Sequence, residues 1–318
     1  MLQTIVVQVQ RARKLNSQVI EYELGSSEAD LPEYTPGAHI EVRVPGVGPR
    51  HYSLVRTWEA TNPYVIAVQR EAAGRGGSRW MHDSLEVGAT LEIGPPKNNF
   101  PLHDDDARII LIAGGIGITP VLCMAEALDR AGRAYELVVC VRDLERLPYA
   151  DDVSALVARG KAVIVVSDGS DGNQFVLSER FPDLAGPVRI YTCGPASLMQ
   201  HVREATAGMP GVSIHEERFG AAPVPAVPVG PLPFRVRCAR SGLVVPVDAG
   251  QSMLDALLDA GLDIDHSCRE GYCGTCLTKH IDGSPIHLDS CLGQEERSRY
   301  VAVCVSRALN DSEIVLDI

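Results

Sequence analysis

No apolar run in the 318-residue chain approaches the roughly 18 residues that a membrane-spanning helix needs. An excess of positive charge is also missing: 29 Lys and Arg stand against 41 Asp and Glu, a formal net charge of −12. An acidic surface repels phosphate backbones, which argues against nucleic acid as a partner. No export signal opens the chain. In MLQTIVVQVQRARKL the basic residues follow the apolar run, the reverse of a signal peptide. No internal repeat is evident. These absences lead us to expect a cytoplasmic protein with no membrane attachment. An even cysteine count is lacking too: nine cysteines argue against a fully paired disulfide framework. In a reducing compartment, cysteine spacing reports metal or redox chemistry more often than cross-links. What is present is the composition of an ordinary folded protein, 45% hydrophobic and 22% charged. The length exceeds what one core usually holds, so two or three domains are expected.

The cysteines are unevenly placed. Cys123, Cys140, Cys193 and Cys238 are scattered, as small buried hydrophobes usually are. The other five fall within 37 residues. DHSCREGYCGTC sets Cys268-x4-Cys273-x2-Cys276, and Cys304 follows in YVAVCVS. This is the spacing of plant-type [2Fe–2S] ferredoxins. Gly271 and Gly274 permit tight turns and let backbone N–H groups approach sulfur, and Ser267 and Thr275 are small for the same reason. Zinc and a disulfide are the alternatives. Structural zinc usually shows two paired motifs, and only one C-x2-C pair exists here. Cys291 reads as a non-ligand.

The Pro-rich stretch Ala221–Pro233 has five prolines in 13 residues and reads as a semi-rigid tether. Before it, TIVVQVQ, QVIEYEL, HIEVRV, RHYSLVR, YVIAVQR and TLEIG predict an antiparallel barrel. From RIILIAG onward, apolar strands alternate with helical stretches. A helix is predicted over Val121–Ala131, with Pro120 suiting a first helical position. This alternation predicts a doubly wound α/β domain. After the tether, FRVRCA and LVVPV flank a Ser241-Gly242 turn. QSMLDALLDAG reads as a helix ended by Gly261, and TCLTKHI, YVAVCVS and EIVLDI read as strands. The domains are therefore expected at 1–103 (antiparallel barrel), 104–222 (α/β), 223–233 (linker) and 234–318 (ferredoxin-like β-grasp).

Two strand-to-helix turns carry the marks of a dinucleotide site. Gly114, Gly115 and Gly117, with Thr119, follow RIILIAG. Cys193, Gly194 and Pro195 follow VRIYT. Such turns let backbone N–H groups and a helix N-terminus close on a pyrophosphate, though structural turns can look alike. In the barrel, Arg50, Tyr52 and Ser53 combine a cation, an aromatic ring and a hydroxyl. The loop Gly76-Gly77-Ser78, after Arg75, precedes a short helical stretch and offers N–H groups to a phosphate. Either element alone also reads as an ordinary core strand or a flexible loop.

Together, the RHYS strand, the GGIGITP turn, the CGP turn and the C-terminal cysteine spacing resemble the phthalate dioxygenase reductase family, to which vanillate O-demethylase reductases belong. The resemblance covers essentially the whole chain. It implies that Arg50, Tyr52, Ser53, Gly76, Gly77 and Ser78 hold a flavin. It implies that Gly114, Gly115, Gly117, Thr119, Cys193, Gly194 and Pro195 line the nicotinamide side. It implies that Phe219, in EERFG, lies near the flavin ring, and that Cys268, Cys273, Cys276 and Cys304 ligate the cluster. Ser53, Cys193 and Phe219 are then the residues nearest the chemistry. Asp143, after YELVVCV, suits a ribose hydroxyl and with the resemblance favours NADH, while adjacent Arg142 could accommodate NADPH. The compact RGGS loop resembles FMN-using members, whereas FAD serves many relatives in the broader superfamily. The implied activity is electron transfer from NADH through FMN and [2Fe–2S] to a terminal Rieske non-haem iron oxygenase or demethylase acting on aromatic compounds. A cytochrome P450 or other monooxygenase as acceptor, and a free-standing NADH:flavin reductase, are the alternatives.

Overall fold

β-Branched and aromatic residues in short runs, separated by turn formers, produce six strands in the first 93 residues. The computed structural model describes residues 4–318 except 27–29, 61–62, 73, 168–174, 185, 221–231, 267, 294–295 and 310–311. The strands are β1 (Ile5–Lys14), β2 (Val19–Gly25), β3 (His39–Val44), β4 (Gly48–Ser53), β5 (Tyr64–Gln69) and β6 (Thr90–Ile93), with helix α1 (Gly77–Ser84) between the last two. They pair antiparallel in the order β4-β3-β6-β1-β2-β5. The sheet nearly closes on itself: Leu54 bridges Ile66, and the Val55 N–H donates to the Val65 carbonyl at 2.9 Å. Alternation sends Ile40, Val42 and Val44 of β3 inward to meet Val7, Leu24, Ile66 and Ile93. The Tyr22 hydroxyl donates to the Met81 carbonyl at 2.6 Å, tying α1 to β2 and fixing the loop that precedes the helix.

The pattern changes at β7 (Arg108–Gly114), buried throughout after its first residue, as a parallel strand covered on both faces must be. It is followed by α2 (Ile118–Arg130), β8 (Tyr135–Val141), α3 (Ala150–Ala158), β9 (Ala162–Val166), α4 (Leu177–Arg180), β10 (Val188–Cys193), α5 (Ala196–Thr206) and β11 (Val212–Glu217). The five strands are parallel, in the order β11-β10-β7-β8-β9. The chain winds outward from β7 to β9, then crosses to β10 and winds the other way. The switch point between β7 and β10 is where such a sheet opens a crevice at its carboxyl edge. Val121, Leu122 and Met124 of α2 share a core with Val19, Val55 and Val65 of the barrel. Residues 1–217 accordingly form one compact unit with two sheets.

Two local expectations change. The helix expected from Val121 begins at Ile118, running on from a 3-10 turn over Gly115–Gly117. Pro120 is therefore its third residue, still among the first four positions whose N–H has no helical acceptor. Strand β11 was not anticipated as an element, because VSIHEE is an edge strand half-buried at every position and shows no alternation.

Residues 218–318 form the second unit. It contains β12 (Phe234–Cys238), β13 (Val244–Val247), α6 (Met253–Asp259), β14 (Leu277–Asp282), β15 (Tyr300–Ala302) and β16 (Glu313–Leu316), in sheet order β13-β12-β16-β14-β15. The first two make the expected hairpin, with Gly242 at φ 73° in its turn. Ser252 caps α6 by accepting the Asp255 N–H at 3.0 Å, and Gly261 follows the helix at φ 83°. Met253, Leu254 and Leu257 pack against Val236, Val303 and Ile314. The strand expected over YVAVCVS stops at Ala302, because the chain turns and the Val305 N–H donates back to the Ala302 carbonyl. Cys304 thus sits in a turn, not on a strand. Most of the Pro-rich stretch, 221–231, lies outside the described residues. Among the described residues, no helix is long and apolar enough to cross a membrane.

Candidate active site and cluster loop

At the switch point the two glycine turns interlock. A Cβ on Gly117 would lie 2.2 Å from the Cys193 carbonyl oxygen. One on Gly114 would lie 2.6 Å from Pro195 Cδ, and one on Gly194 2.9 Å from Gly114 Cα. The three glycines are needed for close backbone approach, and Gly115 for its φ of 54°. Pro195 leads directly into α5, so the crevice has a helix beginning on each side. The Thr119 hydroxyl turns back to the Ile116 carbonyl at 3.0 Å and secures the start of α2. The Thr192 hydroxyl is buried with no hydrogen-bond partner. These features fit a dinucleotide lying across the turns.

One wall of the crevice is acidic. Cys193 and Glu217 end neighbouring strands and pair in register. From the barrel, the Ser53 hydroxyl at the end of β4 donates to Glu217 Oε2 at 3.0 Å. Glu217 keeps some contact with solvent, yet it is enclosed deeply enough that burial pushes its carboxyl up to about 8, against the stabilising bond from Ser53. Burial, then the Glu217 charge, pushes the Cys193 thiol well above its ordinary value. Cys193 is therefore a neutral packing group at pH 7, and burial favours the protonated form of Glu217 there. Glu217 was missed at the sequence level. Its only signal was its place two residues before Phe219, at the end of a strand that the pattern did not disclose.

The flavin-side residues also meet. Arg50 donates to the Pro49 carbonyl at 2.6 Å and to the Arg75 carbonyl at 3.2 Å. A Cβ on Gly77 would lie 2.8 Å from Arg50 Cγ and Nε, so that glycine makes room for the guanidinium stem. Gly76, at φ 92°, precedes α1, and no side chain caps that helix. The Ser78 hydroxyl accepts from the Glu71 N–H at 3.0 Å. A cation beside an uncapped helix N-terminus fits a phosphate. Tyr52 stands opposite Ile40 on β3. Phe219 is 45% exposed and belongs to the second unit. Asp143 accepts the Glu145 N–H at 2.9 Å, capping the short turn after β8.

In the second unit the four cysteines of the spaced motif are all buried. The Cys268 thiol meets those of Cys273 and Cys304, and Cys276 also meets Cys304. Arg269, Gly271 and Gly274 adopt φ of 57°, 73° and 71°, coiling the loop so that its sulfurs converge. The Glu270 N–H donates to Cys268 Sγ at 3.3 Å. Among the described residues, no three His, Cys, Asp or Glu side chains gather around one point as a single metal ion requires. The thiols meet one another through Cys268 and Cys304, and no disulfide links them. This donor set fits a two-iron cluster. Cys291 is turned instead toward Asp289 Oδ2 at 3.8 Å. Ser267 lies outside the described residues.

Comparison with known proteins agrees with this geometry. The model of the 2Fe-2S iron-sulfur cluster binding domain matches residues 236–309, and that of the oxidoreductase NAD-binding domain matches residues 111–204. The chain is 38% identical over 319 residues to the putative toluene-4-sulfonate monooxygenase system reductase subunit TsaB2 of Comamonas testosteroni, covering 99% of each. The solved phthalate dioxygenase reductase is described as a modular structure for electron transfer from pyridine nucleotides to [2Fe–2S]. It matches at a TM-score of 0.73 and 35% identity over 99% of this chain and 98% of that one. The chain belongs to the phthalate dioxygenase reductase family. As a phthalate dioxygenase reductase family member, it is an NADH-dependent oxidoreductase with flavin-type barrel, NAD-binding and [2Fe–2S] domains. An intact type IV self-sufficient cytochrome P450 monooxygenase also matches, at a TM-score of 0.85 and 32% identity over 99% of this chain and 41% of that one.

Proposed function

We propose that this chain is the cytoplasmic reductase component of a multicomponent oxygenase, passing electrons from NADH through FMN and a [2Fe–2S] cluster to a terminal Rieske non-haem iron oxygenase or demethylase acting on aromatic compounds. The observation that carries the reading is the meeting of Ser53, Glu217 and Cys193, where the barrel faces the carboxyl edge of the α/β sheet. There a barrel-bound flavin and a nicotinamide across the glycine turns would share one crevice. When bound, flavin accepts electrons as a pair from hydride and releases them singly, which suits a one-electron cluster.

The chain's own residues supply binding and orientation. Arg50 and the N-terminus of α1, with Gly76, Gly77 and Ser78, would hold the flavin phosphate. This compact loop favours FMN over FAD. Tyr52 would pack on the ring, and the Ser53 hydroxyl, which donates to Glu217 in this structure, would turn to flavin N5. Burial favours the protonated form of Glu217 at neutral pH, which lessens the negative charge opposing hydride arrival. Gly114, Gly115, Gly117 and Gly194, with Thr119 and Pro195, would admit the dinucleotide. Cys193 would pack beside the nicotinamide, and Phe219 would shield the ring. Asp143 would meet the ribose with the carboxylate oxygen not used in its cap. Cys268, Cys273, Cys276 and Cys304 would ligate the cluster.

An acidic chain suits a partner with a basic docking face, and that association weakens with salt. The likeness to a self-sufficient P450 favours a haem acceptor as the second reading. Reconstitution separates the two: NADH-driven turnover of a Rieske oxygenase is the expected result, and turnover only with a haem protein selects the second. Release of the flavin by acid and measurement of its mass settles FMN against FAD.

A further inference from the structure

In the ferredoxin unit Asp289 is buried beside the cluster loop without being one of the four expected ligands. Asp289 lies in the strip that runs from Ile286 to Leu292. Ile286 and Arg307 exchange backbone hydrogen bonds of 2.7 and 3.0 Å, which anchors the strip to the chain that follows Cys304. The Ser290 N–H donates to the Gly271 carbonyl at 2.9 Å, which anchors it to the cluster loop. The fit is close: a Cβ on Gly271 would lie 3.1 Å from Asp289 Cα. The Asp289 side chain is fully shielded from solvent. Its Oδ2 accepts the Leu292 N–H at 3.0 Å and faces the Cys291 thiol. Its Oδ1 is buried with no hydrogen-bond partner.

Two basic side chains stand near this carboxylate, and neither hydrogen-bonds its Oδ1. His287 Nδ1 is 3.4 Å from Oδ1 but is not aligned to bond it. Burial lowers the tendency of His287 to take up a proton. Arg297 spends a guanidinium N–H on the Asp289 backbone carbonyl at 3.2 Å. A buried carboxylate with an orphan oxygen is costly, and a group of this kind calls for a role. Reduction adds one negative charge to an iron–sulfur cluster, and its potential follows local charge and hydrogen bonding. A carboxylate held against the cluster loop opposes that added electron.

We propose that Asp289 tunes the [2Fe–2S] cluster, its buried charge holding the reduction potential low so that electrons leave readily for the acceptor. The inference rests on the reading that Cys268, Cys273, Cys276 and Cys304 carry the cluster. Its test is an EPR-monitored redox titration of the full-length holoprotein. Asp289→Asn keeps the shape and removes the charge. It is expected to raise the potential by about 59 mV, a tenfold change in a one-electron equilibrium. Asp282→Asn, an exposed substitution on β14, is expected to leave it unchanged. An Asp289→Asn protein with an intact signal and an unmoved potential overturns the proposal. If that variant sheds its cluster, His287→Lys carries the test: it leaves the carboxylate in place, brings a cation beside Oδ1, and must also raise the potential. A wild-type protein with no [2Fe–2S] signal would instead overturn the ligand assignment on which the inference rests.

Discussion

The nicotinamide crevice and the cluster loop both depend on glycine, for different physical reasons. At the crevice, Gly117 has an ordinary φ of −62°; what it lacks is room, since a Cβ there would strike the Cys193 backbone. In the cluster loop, Gly274 meets only ordinary contacts but adopts a φ of 71°, and Gly271 is limited by both conformation and space. The first region is a rigid approach of two backbones across a sheet. The second is a local coil that points sulfurs inward. The dinucleotide site is therefore sensitive to volume, and the cluster site to handedness.

That contrast can be broken by substitution. The largest effect is expected from Gly117→Ala: NADH-driven flavin reduction in stopped flow should be nearly abolished, while the visible spectrum of the cluster stays intact. Gly271→Ala should do the reverse, with iron and sulfide content falling sharply and reduction of the flavin by NADH persisting. If either variant damaged both functions equally, the two sites would not be separate devices. Ser53→Ala should slow flavin reduction about 10- to 100-fold, the loss of one hydrogen bond to a developing charge, with cluster content unchanged.

Glu217 supplies a pH test of the crevice. Its carboxyl is raised from 4.5 to about 8. The folded protein thus keeps a proton that the unfolded chain has already released between those values. Stability therefore falls as pH rises through that window, and Glu217→Gln should flatten the slope in denaturant titrations. In the same variant, the slowing of flavin reduction expected above pH 8 should vanish, because no carboxylate charge then develops. The smallest effect is expected for Gly115→Ala. Open space surrounds that position and only its φ of 54° resists a side chain, so thermal unfolding should report a loss of about 1–2 kcal/mol.

Much of this was legible in the chain. The apolar run of β7 and the glycines after it disclosed a parallel strand and its turn, since burial on both faces leaves no polar position to confuse the pattern. The cysteine spacing disclosed the cluster loop, because ligands drawn from one short coil must lie close in sequence. Strand β11 was illegible, being an edge strand without alternation, and Glu217 was hidden with it. Cys304 was legible as a ligand candidate but not in its conformation: its apolar neighbours read as a strand, while the packing of Val303 against α6 and the turn at Ala302 end the strand early.

By itself, the sequence determined the order of barrel, α/β and ferredoxin elements, the glycine turns and the cysteine set. These follow from local rules of periodicity, turn chemistry and ligand spacing. Only the tertiary structure decided that Ser53 meets Glu217 across 164 positions, that the two glycine turns interlock, and that Asp289 is buried against the cluster loop. Each is a long-range contact whose energetic meaning depends on what excludes water around it. No neighbouring residue in the chain records that exclusion, so the raised proton affinity of Glu217 and the burial of Asp289 emerge only once the sheets are assembled.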